Sequence, residues 1–406
     1  MKVLLSAYAC EPHAGSEPGV GFGALKAAAS EHDVWLLTRE NNVPALRVWL
    51  RDSGLDQRVH LLGLDIPGSA LARKKKGLMS LHRYYDLWQR AAGDIGRELH
   101  ATVRFDVVHH ATFASYWTRT GVASVPAPLV WGPVGGGVPT PVGLLPTLGM
   151  KGLLEEAART MGRRLGAIRH GATKTAARAA VTLAQNRETA YRLGGPGRRV
   201  RLVPNATVVE ETPRPPPGKR TAEVYLAGRL VPLKASVLAV RAFQYVEHSA
   251  ASLVIVGDGP DKSRILRAAK RFQVEERVML EGHLARDELL DRIARCGVLL
   301  HPSLHDESPL TVAEALGLGT PVVCLDWGGP AVLTSLWPST PSTLVAPTTP
   351  DDTARRLAAA IDDHLTHPPE MSTTWRQSAV SFESELRAAY HRAAKADPTK
   401  WIPGRG

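Results

Sequence analysis

The stretch Leu253-Val254-Ile255-Val256-Gly257-Asp258-Gly259-Pro260 joins an apolar run of strand length to a glycine-rich turn. Residues 262–272, which follow directly, carry apolar side chains at helical spacing. A strand, a tight turn and a helix in this order predict one unit of a parallel, doubly wound sheet. The glycines allow a ligand to approach the backbone closely, although strand-to-helix turns also use Gly and Asp for geometry alone.

The same alternation extends outward from this stretch in both directions. Further strands are predicted at 224–227, 278–281, 298–301 and 321–325, and helices at 235–246, 286–295 and 310–318. The first half repeats the pattern, with strands predicted at 3–6, 34–37, 59–62, 107–109, 129–130 and 181–184. The predicted fold class is α/β, with two doubly wound, Rossmann-like parallel-sheet domains facing each other across a cleft. Open α/β sheets bind ligands at the carboxyl ends of their strands, so the chemistry is expected there.

The length of 406 residues exceeds what one hydrophobic core usually holds, which also predicts two domains. A proline-rich run at 206–220 forbids a helix or a central strand and is predicted to be a stiff linker. It separates an N-terminal domain, 1–205, from a C-terminal domain, 221–372. A last helix with its tail, 373–406, is free by sequence to pack back on the first domain.

Composition excludes several classes of protein. The hydrophobic fraction of 44% with 22% charged residues is typical of a globular chain. The three cysteines follow no metal or disulfide spacing, which argues against a structural zinc and for a reducing compartment. No run approaches the roughly 20 apolar residues of a membrane span, and the first apolar run is read as a strand rather than a signal peptide. We therefore expect a cytoplasmic protein.

The net charge of +11 comes from the first half of the chain. Such a surplus favours nucleic acid, an anionic membrane surface or a merely solvated surface. No nucleic-acid-reading module accompanies the charge, so nucleic acid is not expected as a partner. Residues 74–88 and 151–178 combine cations with apolar residues at helical spacing. They predict either amphipathic helices packed on the first sheet or a peripheral contact with an anionic membrane.

Two cations follow a predicted strand in the second half. Arg229 and Lys234 lie five residues apart in the loop after Gly228. An arginine can fork onto two phosphate oxygens while a lysine supplies a point charge, so the pair is suited to a diphosphate without a metal. Taken alone, the pair is equally compatible with two exposed loop cations.

Residues 301–317 hold the densest set of polar groups. Ser308 is a candidate N-cap and Pro309 a candidate first helical residue, which leaves the amides of Leu310 and Thr311 free for an anion. Carboxylates accept hydrogen bonds from hydroxyls rather than binding phosphate, and the segment contributes three of them: Asp306, Glu307 and Glu314. Phosphate and polyol recognition in one neighbourhood points to a nucleotide sugar.

The run from Asp306 to Glu314 resembles the E-x7-E motif of retaining GT-B glycosyltransferases of family four. The first Glu of the motif falls on Asp306, with Glu307 beside it. The resemblance covers most of the chain, and its other segments are Tyr8 to Gly19, Val203-Pro204-Asn205, Gly228 to Lys234, Val256 to Pro260 and Glu314 to Val323.

The resemblance implies roles for individual residues. Arg229 and Lys234 would hold the donor diphosphate, stabilising the leaving group and so acting in catalysis. The ribose hydroxyls would bind Glu314, and the sugar hydroxyls Asp306 or Glu307. The remaining donor contacts implied are Gly15, reaching across the cleft, together with Gly257, Gly259, His283, Leu284, Pro309, Leu310 and Thr311. Retention of configuration and independence of metal are likewise implied by the family, and the chain contains no Asp-x-Asp triplet.

Candidates on the acceptor side come from the first half. His109 and His110 end a predicted strand at the cleft, and His110 is the candidate contact to the donor sugar, because many relatives have a histidine near there. Imidazole is as often structural as catalytic, so a buried structural role is the alternative for each. The run after residue 130 is predicted to be a rim loop, where Trp131, Gly135 and Gly136 would meet the acceptor or merely form a turn.

Together with the resemblance, which alone implies retention, these observations predict a metal-independent, retaining glycosyltransferase that needs no cofactor. The co-substrate would be a nucleotide-diphosphate sugar, linked to UDP or GDP, and the acceptor a hydroxyl group on a lipid-linked, cell-envelope or natural-product glycan. Two other functions use the same groups: a nucleotide-sugar epimerase, and a non-catalytic protein that binds nucleotide sugars.

Overall fold

The computed structural model describes residues 1–12, 14–66, 80–197, 199–205, 219–371 and 381–396. The predicted linker up to residue 218, the lysines at 74–76 and the tail from 397 lie outside the described residues. The chain divides into two compact units. The first comprises 1–137, 162–207 and 380–406, and the second comprises 138–161 and 208–379.

The first unit is built on a seven-stranded parallel sheet in the described part of the chain. Its strand order is β3-β2-β1-β4-β5-β6-β7. Both faces of the central strands are buried, as near-continuous runs of Val and Leu require. The strands are β1 Lys2–Ser6, β2 Asp33–Thr38, β3 Val59–Gly63, β4 Val107–His110, β5 Leu129–Val134, β6 Val181–Ala184 and β7 Val200–Leu202.

Helices cover both faces of this sheet. They are α1 Ser16–Ala29, α2 Val43–Ser53, α3 Leu81–Val103, α5 Ala172–Arg178, α6 Arg187–Arg192 and the C-terminal α13 Phe382–Ala394, while α4 Gly149–His170 runs from the second unit into the first. Helix α13 buries Phe382, Leu386 and Tyr390 in the same core as α1 and β1. The C-terminal helix is therefore part of the first unit.

The second unit repeats the plan with a six-stranded parallel sheet in the described residues, ordered β10-β9-β8-β11-β12-β13. The strands are β8 Glu223–Ala227, β9 Ser252–Val256, β10 Val278–Gly282, β11 Val298–His301, β12 Val322–Leu325 and β13 Ser342–Val345. The helices are α7 Ser236–Phe243, α8 Lys262–Arg271, α9 Arg286–Arg295, α10 Leu310–Gly317, α11 Gly328–Leu336 and α12 Pro350–Thr366.

The predicted fold class of two Rossmann-like parallel-sheet units is confirmed. Two short strands at sheet edges, β7 and β13, escaped prediction because three or four residues carry too little periodicity. Residues 138–161, which the sequence groups with the first domain, cluster with the second unit. No helix among the described residues is long and apolar enough to cross a membrane.

Candidate functional site

In the second unit, the turns after β8 and β9 lie against each other. The N–H of Gly228 donates to Val256 O at 3.0 Å, and a Cβ on Gly257 would lie 2.0 Å from Gly228 O. Gly257 also has a φ of +130°, so only glycine fits this position. Gly259 is restricted in the same way, with a φ of +155° and Leu230 O at 2.4 Å from a built Cβ. The two strand ends therefore form one closely packed backbone surface.

Lys234, Asp306 and His301 form a cluster beside these turns. Lys234 Nζ donates to Asp306 Oδ2 at 2.6 Å and to Oδ1 at 2.8 Å, and His301 Nε2 lies 2.8 Å from Oδ2. Burial of the Asp306 carboxyl opposes its ionisation. The hydrogen bond from His301 and the charge of Lys234 outweigh burial and hold the pKa of Asp306 well below its usual range.

Local structure explains why residues 72 positions apart meet. Lys234 ends a short 3-10 turn, Pro232–Lys234, and Leu233 O in that turn accepts from Leu304 N at 2.9 Å and from Ser303 Oγ at 3.1 Å. These bonds fix the loop after β11 to the loop after β8. The carboxylate that follows in the chain is thereby held against Lys234.

Arg229 lies in the same loop and is exposed. Its guanidinium makes no hydrogen bond or ion pair with any residue that the structure describes. An arginine with all its donors available is suited to an anion, because the guanidinium fork matches two oxygens of a phosphate.

Helix α10 begins one residue later than predicted, with Pro309 rather than Ser308 as its cap. The amides of Val312 and Ala313 donate to Pro309 O, at 3.2 and 3.3 Å. The amides of Leu310 and Thr311 donate to no acceptor within the described ranges. They are the free donors that a helix N-terminus offers to an anion.

Glu314 lies on α10 and is 3% exposed. Its carboxylate forms an ion pair with Arg286, whose side chain is 48% exposed. Burial raises the pKa of Glu314, and the positive charge of Arg286 only partly opposes this effect. A carboxylate is therefore buried at this end of the second sheet, next to a half-exposed cation on the solvent side.

The second motif carboxylate, Glu307, contacts a different partner from Asp306. His305 Nε2 lies 3.6 Å from Glu307 Oε1. The backbone of this loop packs on the start of α11, since Gly329 N donates to Asp306 O at 2.9 Å and a Cβ on Gly329 would lie 2.0 Å from Glu307 O. Glycine at 329 thus permits the loop that carries both carboxylates.

The residues expected at the nucleotide base follow strand β10. His283 is exposed and Leu284 is half-buried. Gly282, just before them, has a φ of +75° and accepts from Gly257 N at 2.6 Å. The segment therefore lies at the same end of the second sheet as Arg229 and Lys234.

His109 is fully buried in the first unit. Its Nδ1 lies 2.8 Å from Tyr390 Oη, on α13, and its Nε2 lies 2.7 Å from Gly132 O. Burial lowers its pKa to about 4. Both ring nitrogens of His109 have partners within the first unit, so this side chain links the C-terminal helix to the sheet. No ring nitrogen remains to contact the sugar-accepting substrate.

His110 is also fully buried, on the opposite face of β4. Its Nε2 lies 3.2 Å from Tyr85 Oη, and burial lowers its pKa to about 3, helped by His109. The expectation that this histidine faces an open cleft does not match its burial. In the described conformation its ring contacts the core that contains Tyr85.

The rim loop expected after residue 130 is wrong, because residue 131 belongs to a strand. Strand β5 continues to Val134, and Trp131 lies within it at 1% exposure. Its ring is part of the first-unit core and is not available to stack on a sugar. Gly135 pairs with Ser115 in an isolated parallel bridge, and Gly136 has a φ of +86° with a built Cβ 2.6 Å from Trp117 Nε1.

Gly15 is exposed and caps α1. The loop before it packs closely on that helix, because Cβ atoms on Gly19 and Gly21 would lie 2.3 Å from Ala14 O and 2.0 Å from Ala9 O. This glycine-dependent packing fixes the path of the loop within the first unit.

A cavity of about 330 Å³ opens in the first unit near the carboxyl ends of β1 and β4. We call it the first-unit cavity. A smaller pocket that includes Tyr8 and Phe113 adjoins it through shared walls. Its lining includes Tyr85, Asp86, Trp117, Arg119, Arg169 and His170.

The described residues contain a His and carboxylate group that could hold a metal, formed by Glu31, His32 and His391. Glu31 Oε2 lies 3.0 Å from His391 Nε2. His32 directly precedes β2, so the group lies at the amino ends of the first sheet and not at the ligand-binding edge.

Three residues of the second unit were missed by sequence reasoning. His301 shows one detectable signal, since it is a polar residue at the carboxyl end of a buried strand. Arg286 has none, because its partner lies 28 positions away on another helix. Gly329 belongs to a Gly-Gly pair that reads as an ordinary helix start.

Comparison with known proteins adds a family match. Residues 210–380 match the model of the family "Glycosyl transferases group 1". The gpi3 subunit of phosphatidylinositol N-acetylglucosaminyltransferase from Schizosaccharomyces pombe is 28% identical over 211 residues, which cover 50% of this chain and 43% of that protein. A 2-deoxystreptamine glucosyltransferase from Streptomyces kanamyceticus is 32% identical over 112 residues, 28% of each chain. The chain thus matches less than half the length of these relatives.

Among solved structures, the Anabaena protein HepE in complex with UDP has a TM-score of 0.53 with 14% identity. The alignment covers 95% of this chain and 98% of that one. At this identity the likeness shows the fold, which is the GT-B fold of two Rossmann-like domains.

Proposed function

We propose, from the match of residues 210–380 to the model of the glycosyl transferases group 1 family, that the chain is a retaining, metal-independent glycosyltransferase. It transfers a sugar from a nucleotide-diphosphate donor to a hydroxyl acceptor. The donor binds the second unit and the acceptor the first. UDP and GDP are the proposed nucleotides, and HepE, whose structure holds UDP, makes UDP the first to test.

The cluster around Lys234 is the observation that carries this proposal. An exposed Arg229, an ordered Lys234 and the free amides of Leu310 and Thr311 belong to one end of one sheet. The buried carboxylate of Glu314 lies on the same helix as those amides. Cations with helix-end amides suit a diphosphate, and a carboxylate suits ribose hydroxyls.

The chemistry follows from the leaving group. A nucleoside diphosphate already leaves readily, so the protein has to stabilise the negative charge that grows as the glycosidic bond breaks. Arg229 and Lys234 would do so, and Asp306 would hold Lys234 in position. The anomeric carbon passes through an oxocarbenium-like state, as in glycoside hydrolysis. Either Asp306 or Glu307 would contact the sugar hydroxyls.

The test is a thermal-shift titration of the wild type with UDP, GDP, ADP and dTDP, without metal and with Mg²⁺. A ligand that binds only the folded state raises the melting temperature by mass action. At a hundredfold excess over Kd we expect the preferred nucleotide to raise it by roughly 5–10 °C, without metal. If none of the four raises it, the donor site proposed here does not exist.

Incubation of the sugar-linked form of that nucleotide separates the rival functions. A glycosyltransferase releases the nucleotide slowly by hydrolysis and faster with an acceptor. An epimerase would convert the donor to an isomer with no acceptor present, and a binding protein would leave it unchanged. Either of these two results would replace the proposed activity.

We also propose a peripheral contact with an anionic membrane, through helix α4. Five apolar side chains 57–80% exposed recur along one face of this helix: Met150, Leu154, Met161, Leu165 and Ile168. The exposed cations Lys151 and Arg164 flank them. An apolar stripe bordered by cations suits the surface of a bilayer with acidic headgroups.

Vesicle flotation tests this contact. The double variant Leu154→Ser/Ile168→Ser should lose most binding to vesicles of phosphatidylcholine with phosphatidylglycerol, because each serine removes buried apolar area in the bilayer. Val48→Ser, at another exposed apolar residue, is the control and should bind like the wild type. Equal flotation of the double variant and the wild type would disprove the contact.

A further inference from the structure

The first-unit cavity has an aromatic wall. The ring of Trp117 lines the cavity, while its Nε1 is buried against Gly136, where a built Cβ would lie 2.6 Å away. The ring of His82 meets Trp117 edge-on, with 5.1 Å between ring centres, and Tyr85 lines the same space. Aromatic rings of this kind offer a large packing surface to the body of a ligand.

The same cavity has more positive than negative groups. Asp86, its carboxylate, accepts from Arg119 Nε at 2.7 Å and from Arg90 at 3.2 Å. Arg169 is exposed, and no described residue pairs with it. Two guanidinium groups, those of Arg119 and Arg169, line the cavity against one carboxylate, which leaves a surplus of one positive charge when His170 is neutral. Arg90 contacts Asp86 from outside the lining and adds to the positive charge nearby.

These charges act on the pKa of His170. Burial lowers its pKa, and although Asp86 at 3.8 Å favours the charged ring, the nearby Arg119, Arg169 and Arg90 oppose it. Burial and the arginines together thus outweigh the attraction of the Asp86 carboxylate for a charged ring. Glu17, the other carboxylate near Tyr85, accepts the Phe113 N–H at 2.6 Å, and burial raises its pKa.

We propose that the first-unit cavity binds the acceptor through a phosphate monoester, held by Arg169 and by the remaining N–H groups of Arg119, with the acceptor body against Trp117. The inference deepens the proposed transferase function and rests on it. A phosphate monoester carries about −1.5 to −2 charges at neutral pH and offers three acceptor oxygens, which suits the unpaired guanidinium of Arg169 together with the remaining N–H groups of Arg119. A carboxylate offers the same groups two oxygens and one charge, and a neutral hydroxyl compound offers no charge.

The volume of the first-unit cavity agrees with a small-molecule ligand such as a sugar phosphate. The cavity of about 330 Å³ lies at the lower end of small-molecule sites, which span roughly 300–1,000 Å³. The phosphate can belong to a soluble sugar phosphate or to a lipid phosphate whose chains lie outside. The two sources share the same recognition chemistry.

Calorimetric titration distinguishes these possibilities. Glucose 6-phosphate, glucuronate and glucose share one ring and carry a dianion, a monoanion and no charge. We expect affinity to fall in that order for a soluble acceptor. Dioctanoyl phosphatidic acid, below its micelle concentration, supplies the same phosphate on a lipid. Tight binding of this probe with none to glucose 6-phosphate would assign the phosphate to a lipid-linked acceptor.

Arg169→Ala should weaken binding of the phosphate probe about ten- to hundredfold, the usual effect of losing charge-assisted hydrogen bonds. Arg169→Lys should recover part of it. Arg47→Ala, at an exposed arginine on α2 of the same unit and outside the cavity, is the charge-matched control and should bind like the wild type. The proposal is overturned if Arg169→Ala binds phosphate normally, or if glucose binds as well as glucose 6-phosphate.

The nucleotide-induced thermal shift distinguishes failure of the acceptor proposal from failure of the proposed transferase function. Because Arg169 is outside the second unit, Arg169→Ala should show the full shift with the preferred nucleotide. A shift that persists while phosphate probes fail to bind rejects the acceptor proposal alone. No shift in any variant rejects the transferase function itself.

Discussion

Arg229→Ala should lower kcat by about 10²- to 10³-fold and abolish most of the nucleotide-induced rise in melting temperature. Removing one preorganised donor to a developing negative charge has this size of effect. Arg229 is exposed and has no partner among the described residues, so its loss should change the free energy of unfolding by less than about 0.5 kcal/mol. Steady-state kinetics and thermal unfolding with and without nucleotide measure both effects.

Arg267→Ala is the matched control for this change. Arg267 is an exposed arginine on α8 of the same unit, and the described residues give it no partner. It should match the wild type in kcat and in nucleotide response. A normal kcat in Arg229→Ala would remove this residue from the proposed donor site. A lower melting temperature of the free Arg229→Ala protein would instead indicate a structural role.

The fold was readable from sequence because parallel strands buried on both faces appear as continuous apolar runs. Residues 253–256 and 298–301 are such runs, and each is followed by polar or glycine residues where the chain turns. The order of the groups along the chain also predicted that Arg229, Lys234 and Glu314 would follow strand ends. The sequence did not reveal which side chains these residues would pair with.

Pairing across the sheet depends on loop paths that no local pattern encodes. Lys234 was predicted to face a phosphate, and in the structure it is held by Asp306 through bonds between Leu233 and the 303–304 backbone. His109 and Trp131 show the converse problem. The sequence places both at the ends of predicted strands, where exposure is expected, yet both lie within longer strands and are buried in the first unit.

The second large effect is expected for Asp306→Asn, which should destabilise the second unit by roughly 2–3 kcal/mol at neutral pH. The substitution keeps the shape of the side chain but leaves Lys234 without a countercharge and His301 without an anionic acceptor. With Lys234 no longer fixed, turnover of the nucleotide sugar should also fall. Chemical denaturation and steady-state kinetics measure the two losses.

The control is a surface ion pair in the same unit. Asp291 accepts from Arg295 Nε at 3.1 Å, with both side chains more than 40% exposed. Because water screens such a pair, Asp291→Asn should cost no more than about 1 kcal/mol and leave turnover unchanged. If both variants lose the same small amount, the cluster around Lys234 is no stronger than a surface pair.

The pH dependence tests the cause of the effect at Asp306. Its pKa is lowered in the folded state, so its contribution to stability is complete above the ordinary pKa of 3.8 and is lost as the pH falls towards the folded value. Below about pH 4 the free energy of unfolding of the wild type should lose up to roughly 1.4 kcal/mol per pH unit from this group. Asp306→Asn cannot titrate there, so its stability should fall less steeply and the two curves should converge. Parallel curves would mean that the ion pair with Lys234 does not stabilise the fold.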